Sequence, residues 1–256
     1  TVGLDYRLTD DCVFGGSVGY GTTDMDLDSH GGSLDVDDWT FSVYGLQYFW
    51  ENLYLQGVLS YGFAQYDQQR NVSYALDEAS VSDSYTADYD GNQFSWSLGL
   101  GYEYALDAWT FGISERIDSY EVDVDSFQEK LKEGTSGGLN MHVQDNDQSS
   151  LLNVLGVEAS YTASFSFGIV VPKLRVDWEH EFDSDSRDIQ ASFVYDPGEN
   201  TYEFETDDQD ENSFRVSPSV SCVFQQGLSA FVSYERVLGR DDFTEQSIHI
   251  GIRKEF

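Results

Sequence analysis

Several stretches of this sequence alternate large apolar side chains with small or polar ones, and this period of two limits the fold more than any other feature. In segment 94–104, every second residue is aromatic or leucine, and the residues between them are Ser, Gly and one Glu. Segment 174–182 repeats the alternation. A period of two is typical of a β-strand with one apolar face. These segments are also about ten residues long, whereas strands of soluble proteins usually have about five or six.

The same pattern predicts eleven long strands separated by connections of two kinds. Some connections are short and the others are long and acidic, and this asymmetry is typical of a transmembrane β-barrel. A soluble β-sandwich is the alternative, but its exposed face would be charged instead of rich in Ser and Gly. The predicted strands are 1–8, 12–21, 39–50, 53–66, 94–104, 108–117, 151–163, 174–182, 213–225, 227–238 and 248–256. The long connections are 22–38, about 69–92, about 118–150, about 183–212 and 239–246.

The charge of the chain excludes some partners. It has 13 Lys and Arg against 47 Asp and Glu, a net charge of −34. Nucleic acid is therefore not expected as a partner, because phosphate binding requires clustered basic residues. Such an acidic chain could be disordered, but 17 Tyr, 17 Phe and 5 Trp indicate a folded one. No run of about 18 apolar residues predicts a membrane-spanning helix.

Four segments resemble a known family, in the same order along the chain. GLDYRLTDDCVFGGSVGYG (3–21) resembles the first conserved hairpin of autotransporter β-domains, the translocators of type Va secretion. WTFSVYGLQYFWENLYLQGVLSYG (39–62) is similar to the next hairpin of that family. PKLRVDWEHEF (172–182) and IHIGIRKEF (248–256) resemble a later strand and the last strand.

The resemblance implies an all-β fold, an antiparallel transmembrane up-and-down β-barrel of twelve strands whose first strand precedes this chain. Residues 1–256 would form a single outer-membrane barrel domain, with 183–212 as an extracellular hairpin loop. If the two arms of that hairpin crossed the membrane, the barrel would have fourteen strands.

The resemblance also implies a location and a set of partners. The barrel would lie in the outer membrane of a Gram-negative bacterium, in contact with lipid and lipopolysaccharide. Its loops would be extracellular and its C-terminus periplasmic. It would be inserted by the barrel-assembly machinery, would be a monomer, and would need no cofactor.

The function that the resemblance implies is to carry an N-terminal passenger to the cell surface, with a linker helix inside the pore. Neither the passenger nor the linker helix is part of this chain. One alternative is a barrel without a passenger that acts as a pore or as a surface adhesin. Another is an outer-membrane hydrolase, although no catalytic residue is predicted. The G-x-S-x-G run at 15–19 lies inside a predicted strand, whereas a nucleophile elbow needs a turn between a strand and a helix.

The end of the chain is the most specific functional signal. In the family that it resembles, an aromatic C-terminal residue and alternating apolar residues are recognised by the assembly machinery. Phe256, Ile252, Ile250 and Ile248 match that pattern, whereas Lys254 departs from it. The alternative is that these side chains only face lipid.

Charged residues on the small, polar faces of the strands form the second candidate site. Charge facing lipid costs free energy, so these residues are predicted to point into the lumen. There they would line a hydrated pore and hold a linker helix, or pair with each other across the barrel wall. They are Glu103, Arg116, Glu158, Arg175, Asp177, Glu179, Glu181, Arg215, Glu235, Arg253 and Glu255.

Two runs of alternating acidic residues resemble a calcium loop weakly. Asp24, Asp26 and Asp28 form the first run, and Glu121, Asp123 and Asp125 form the second. The first lacks the Gly and Glu that such a loop requires at its sixth and twelfth positions. A strand that extends above the membrane explains both runs better, so no metal site is predicted beyond this weak candidate.

Overall fold

The chain folds almost entirely into antiparallel β-strands. A computed structural model describes residues 1–27, 31–50, 52–75, 80–133, 138–225, 227–240 and 244–254. Among these residues, no helix is long and apolar enough to cross a membrane. The strands are β1 (Val2–Thr9), β2 (Cys12–Leu27), β3 (Gly32–Phe49), β4 (Leu53–Ala75), β5 (Ser80–Leu106), β6 (Trp109–Val124), β7 (Phe127–Gln128), β8 (Lys130–Glu133), β9 (Met141–Val143), β10 (Asn146–Tyr161), β11 (Ala163–Phe165), β12 (Gly168–Glu181), β13 (Asp188–Phe193), β14 (Thr201–Glu205), β15 (Asn212–Phe224), β16 (Leu228–Leu238) and β17 (Gln246–Lys254).

Eleven of these strands form one continuous meander. Their order is β1-β2-β3-β4-β5-β6-β10-β12-β15-β16-β17, and neighbouring strands are antiparallel. They correspond to the eleven long strands that the alternation predicts. The all-β antiparallel fold is therefore confirmed. A further strand between β1 and β17 would make twelve, and that count remains a prediction.

The main sheet curls, so that its two edge strands approach each other. Arg253 Nη2 on β17 lies 2.9 Å from Asp5 Oδ2 on β1. A cavity of about 410 Å³ is lined by side chains of β1, β6 and β17 together, including Asp5, Arg116 and Arg253. The face that carries these polar side chains is therefore concave. The opposite, convex face exposes apolar side chains such as Leu98 and Ile113, each 53 % exposed.

Aromatic rings packed over glycines help to hold the concave face. Tyr44 lies directly across from Gly15, and Tyr54 lies directly across from Gly101. In both pairs the ring occupies the space that a Cβ atom on the glycine would need. Tyr54 is only 9 % exposed as a result. The small residues of the concave face therefore have a packing role, because they make room for rings from the neighbouring strand.

Several strands continue beyond the lengths that the alternation predicts. The strand expected at 39–50 begins at Gly32, and β4 and β5 pair as far as Ala75 and Ser80. Much of the connections predicted at 22–38 and 69–92 is therefore strand. The reason is that an antiparallel ladder satisfies backbone hydrogen bonds whatever the polarity of its side chains. Asp24 and Asp26 of the acidic run lie on β2, as predicted, and the position of this part of the strand above the membrane remains a prediction.

The two longest connections join in a second, four-stranded sheet with the order β14-β13-β9-β7. Strands β7 and β9 belong to the connection between β6 and β10, whereas β13 and β14 belong to the one between β12 and β15. Strands β13 and β14 pair as an antiparallel hairpin within 183–212. We call this end of the meander the long-loop end, and the opposite end the short-turn end.

Candidate functional site: the concave wall and the long-loop end

One group of charges on the concave wall lies across β10 and β12. Arg175 lies directly across from Glu158 and contacts it at 3.3 Å. It also binds Asp177, two residues further along its own strand, at 2.7 Å. Lys173 contacts Glu158 from the other side at 3.2 Å, and Ser114 Oγ accepts a hydrogen bond from Arg175. The two basic and two acidic side chains therefore neutralise each other within the wall.

A second group lies across β12, β15 and β16. Arg215 Nε donates to Glu179 Oε1 at 2.7 Å, and Ser213 Oγ donates to the other oxygen of that carboxylate. The Arg215 side chain also lies 3.4 Å from Glu235 and from Glu245. Glu179 is only 3 % exposed. One guanidinium thus holds three carboxylates, one of them almost fully buried.

The remaining predicted wall charges are spread along the sheet. Arg116 pairs with Asp118 at 2.8 Å, and Arg253 pairs with Asp5 across the two sheet edges. Glu181 accepts hydrogen bonds from Ser150 and from the backbone of Leu151. The backbone of Glu103 is bonded to Asn52 near the short-turn end. Glu255 lies outside the described residues.

The sequence reasoning found both members of four wall ion pairs and only one member of four others. Asp5, Asp118, Lys173 and Glu245 were not among the predicted residues, although each contacts one that was. A spacing of two along a strand would have found Asp118 and Lys173, because such residues lie on the same face. Nothing in the sequence indicates Asp5 or Glu245 as partners. The contact of Asp5 with Arg253 depends on the curl of the main sheet, and the contact of Glu245 with Arg215 depends on the loop before β17.

The long-loop end contains an ion pair that the sequence reasoning missed entirely. Arg70 on β4 forms two hydrogen bonds to Glu129, of 2.7 and 2.6 Å. Glu129 is 2 % exposed and also accepts a hydrogen bond from the backbone of Met141. The hydrogen bonds to Glu129 raise the pKa of Arg70 above its usual value, so its guanidinium stays charged.

Tyr85 and Asn140 complete this mouth cluster, which we define as Arg70, Tyr85, Glu129 and Asn140. The Arg70 guanidinium lies 5.0 Å from the centre of the Tyr85 ring, which is fully buried. Asn140 Nδ2 donates to the backbone oxygen of Glu129 at 3.2 Å. The cluster therefore holds the connection between β6 and β10 against the extended wall of β4 and β5.

Three stacked rings form a further contact between this connection and the strands β4 and β5. Phe127 stacks on Tyr89 with 4.1 Å between ring centres, and Tyr89 stacks on Tyr66 at 5.0 Å. Burial raises the pKa of Tyr89 to about 12. Tyr66 shares the concave face with Tyr54, twelve residues earlier on β4, since the spacing is even. The connection between β6 and β10 thus folds over the inner side of the wall.

The acidic run predicted as a weak metal candidate is part of a row of carboxylates. Asp24, Asp35, Asp67 and Asp88 lie directly across from one another on β2 to β5. The hydrogen bond with Asp88 raises the pKa of Asp67. Among the described residues, no group of three or more His, Cys, Asp or Glu could hold a metal ion. Asp28 lies outside the described residues.

The predicted assembly signal lies on the last strand. Ile248, Ile250 and Ile252 are on β17, an edge of the main sheet, and are 68, 78 and 77 % exposed. Phe256 lies outside the described residues. The three isoleucines thus form an apolar row on the outer side of an edge strand. Their recognition by assembly machinery remains a prediction.

These features together define the class of protein. A meander of strands 8 to 27 residues long, curled with an apolar convex face and a charged concave face, is the architecture of an outer-membrane β-barrel. The family is then shown by a direct match. Residues 1–235 match the model of the autotransporter β-domain, and the chain belongs to that family.

Two relatives illustrate how far the sequence similarity extends. The putative uncharacterized protein YaiT of Escherichia coli K12 is 22 % identical over 269 residues, which cover 98 % of this chain and 24 % of YaiT. Outer membrane protein B of Rickettsia japonica is 28 % identical over 106 residues, 40 % of this chain and 6 % of that protein. The chain thus spans about a quarter or less of the length of these curated relatives.

Two solved structures share the fold. The translocator domain of the autotransporter NalP from Neisseria meningitidis has a TM-score of 0.76 at 14 % identity, with 99 % of this chain and 79 % of that chain covered. The β-domain of the Bordetella autotransporter BrkA has a TM-score of 0.67 at 21 % identity, with coverages of 99 and 88 %. The chain therefore belongs to the autotransporter β-domain family and has the fold of these two domains.

Proposed function

We propose that this domain carries an N-terminal passenger to the cell surface and anchors it there, with the long-loop end extracellular and the short-turn end periplasmic. The observation that supports this proposal most is the family match over 1–235 together with a charged concave face. A charged inner wall keeps the lumen hydrated, so that a polar polypeptide can pass without entering lipid. In this proposal the domain is not an enzyme, since export of the passenger neither breaks nor forms a covalent bond.

The outer surface gives the domain its other proposed partners. The apolar convex face contacts acyl chains, and the extended strands reach the level of lipopolysaccharide. Ile248, Ile250, Ile252 and Phe256 form the signal for the barrel-assembly machinery. An exposed apolar row at a sheet edge supports this assignment, because it offers both side chains and an edge to a partner.

The experiment expresses the whole encoded protein in a Gram-negative host, with an epitope tag placed upstream of Thr1. We expect protease added to intact cells to remove the tag while the barrel stays in the outer membrane. A tag that stays protected inside the cells, beside a correctly inserted barrel, would overturn the export proposal. Planar-bilayer conductance of the same barrel would then measure whether it acts as an open pore.

The assembly signal needs a separate test within the same system. Ile250→Asp places a charge in the outward row of β17, whereas Ser247→Asp changes the opposite face of the same strand. We expect the first variant to lose outer-membrane insertion and the second to keep it. Equal insertion of both variants would contradict a role for the isoleucine row.

A further inference from the structure

The four-stranded sheet at the long-loop end finishes in a strand with an open edge. Strand β14 is the last strand of that sheet, and among the described residues it pairs only with β13. Natural proteins usually close such an edge with Lys, Pro or a β-bulge. Strand β14 has the sequence TYEFE, all of its residues are exposed, and its register with β13 is regular. It is therefore an edge to which a further strand can be added.

The direction of the backbone groups on β14 follows from one hydrogen bond. The backbone nitrogen of Thr206 donates to the backbone oxygen of Arg187 at 2.8 Å. In an antiparallel ladder every second residue bonds to the same neighbour, so Phe204 also bonds to β13. Glu203 and Glu205, on either side of it, therefore direct their N–H and C=O groups away from the sheet.

The two faces of β14 differ in chemistry. Tyr202 and Phe204 share one face and are 42 and 51 % exposed. Tyr202 packs edge-on against Phe193, with 5.6 Å between the ring centres. Glu203 and Glu205 point to the opposite face, where both are exposed. A strand that pairs with β14 would thus meet an apolar surface on one side and two carboxylates on the other.

The charge around β14 decides which kind of strand fits this edge. Between Arg187 and Arg215 the chain contains no Lys or Arg, and Asp207 and Asp208 come soon after β14. Like charges that are directly opposed across strands destabilise pairing, so the edge disfavours a second copy of β14. A basic segment is attracted instead, because its charge is complementary.

We propose that β14 binds an extended cationic peptide from outside the cell, which adds to the sheet as a further antiparallel strand. Directly opposed residues share a face, so basic side chains of the peptide lie across from Glu203 and Glu205. Its apolar side chains then pack beside Tyr202 and Phe204. Backbone hydrogen bonds provide affinity and the alternating side chains provide specificity. This binding function goes beyond passenger export and relies on the proposed orientation only for the source of the peptide.

The first experiment titrates a fluorescent peptide of alternating Lys and Val against the purified barrel in phosphatidylcholine nanodiscs. A peptide of about nine residues spans β14, and fluorescence anisotropy measures its binding. Methylation of the Lys backbone nitrogens removes the donors that face β14, whereas methylation of the Val backbone nitrogens changes only the other edge. We expect the first methylated peptide to bind about ten-fold or more weakly than the second, although their charges are equal.

Variants of the barrel test the carboxylates. Glu203→Gln/Glu205→Gln removes two charges from β14, and the control Glu121→Gln/Asp123→Asn removes two charges from exposed positions on β6. We expect the first double variant to weaken binding about five-fold or more and the second to leave it nearly unchanged. Binding to the wild type should weaken as salt rises. The heat-dependent shift of each variant on a denaturing gel checks that it is folded.

Hydrogen exchange at single residues locates the bound peptide. We expect the peptide to protect the amides of Glu203 and Glu205, whereas Phe204, which bonds to β13, changes little. Absence of saturable binding, equal affinity of the two methylated peptides, equal effects of the two double variants, or unprotected amides on β14 would overturn the proposal. The purified barrel is tested without a passenger, so a failure of this proposal is distinct from a failure of export.

Discussion

Charged side chains are buried in two regions of this protein, and they are held there in different ways. On the concave wall, Glu158 and Arg175 are directly opposed on neighbouring strands, and Asp177 follows two residues later. At the long-loop end, Arg70 and Glu129 are 59 residues apart and belong to a wall strand and a loop. The wall pairs reinforce neighbouring strands that backbone hydrogen bonds already hold together. The mouth pair instead holds a loop whose own strands are only 2 to 4 residues long.

The difference teaches that similar ion pairs can have unequal structural consequences. Each wall strand keeps its neighbours through a long series of backbone hydrogen bonds, so the loss of one side-chain pair leaves the ladder intact. The loop at the mouth is held by shorter ladders, in which β8 pairs with β5 and β9 pairs with β7 and β13, and by the stack of Phe127 on Tyr89. We therefore expect mutations at the mouth to release structure locally and mutations in the wall to change stability globally.

The largest effect is expected for Glu129→Leu. The substitution leaves the Arg70 guanidinium without its carboxylate, and breaking a buried pair in this way costs about 3–5 kcal/mol. Arg70 keeps a side-chain exposure of 25 %, so we expect the lower end of that range. Hydrogen exchange should rise sharply in the connection between β6 and β10. Glu203→Leu, on the exposed strand β14, is the matched control and should leave that connection protected. Equal exchange in both variants would show that the mouth cluster does not hold the loop.

A smaller, global effect is expected for Gly101→Ala in the wall. The added Cβ overlaps the ring of Tyr54, which is packed between strands, and overpacking of this kind costs about 1–3 kcal/mol. At Gly57, the nearest atoms lie at ordinary contact distances, 3.6 and 3.9 Å from an added Cβ. We therefore expect Gly101→Ala to lower the free energy of unfolding more than Gly57→Ala does, as measured by urea unfolding in lipid vesicles. The reverse order would mean that ring packing does not stabilise the wall.

Arg116→Gln should change stability least among the wall substitutions. The Arg116–Asp118 pair is partly exposed, and such pairs contribute about 0–1 kcal/mol. The substitution also removes a positive charge from the cavity that Asp5 and Arg253 line. We expect nearly unchanged urea unfolding and a shift of ion selectivity towards cations in planar bilayers. A large loss of stability would contradict this expectation and would show that the Arg116–Asp118 pair is as important to the fold as the ion pair of the mouth cluster.

The smallest expected effect is on the pH dependence of stability, and it arises at the row of aspartates on β2 to β5. The pKa of Asp67 is raised, so the folded protein retains a proton that the unfolded chain has already lost. Stability therefore falls as the pH rises through the raised pKa, and it is regained on acidification. Asp67→Asn should remove this part of the pH dependence, as followed by thermal unfolding across the acidic range. A slope that is the same in both proteins would exclude Asp67 as its source.

The sequence predicted the wall well because the wall repeats a simple rule. The alternation in 94–104 and 174–182 placed Glu103, Arg175, Asp177 and Glu179 on the polar face, where the structure has them. It did not give partners across strands, because the register of each pair depends on where the turns begin. The structure places Glu115 across from Leu100 and Leu155 on the apolar side, a position that is unusual for a carboxylate.

What the sequence alone determined about this protein is its strand content, its two faces and its family. A period of two needs no knowledge of neighbours, because successive side chains of any strand point to opposite sides. What only the tertiary structure decided is which charges meet: Asp5 with Arg253, Arg70 with Glu129, and Glu115 with Asn153. These contacts arise from curl, loop folding and register, which depend on packing between segments that are far apart in the chain.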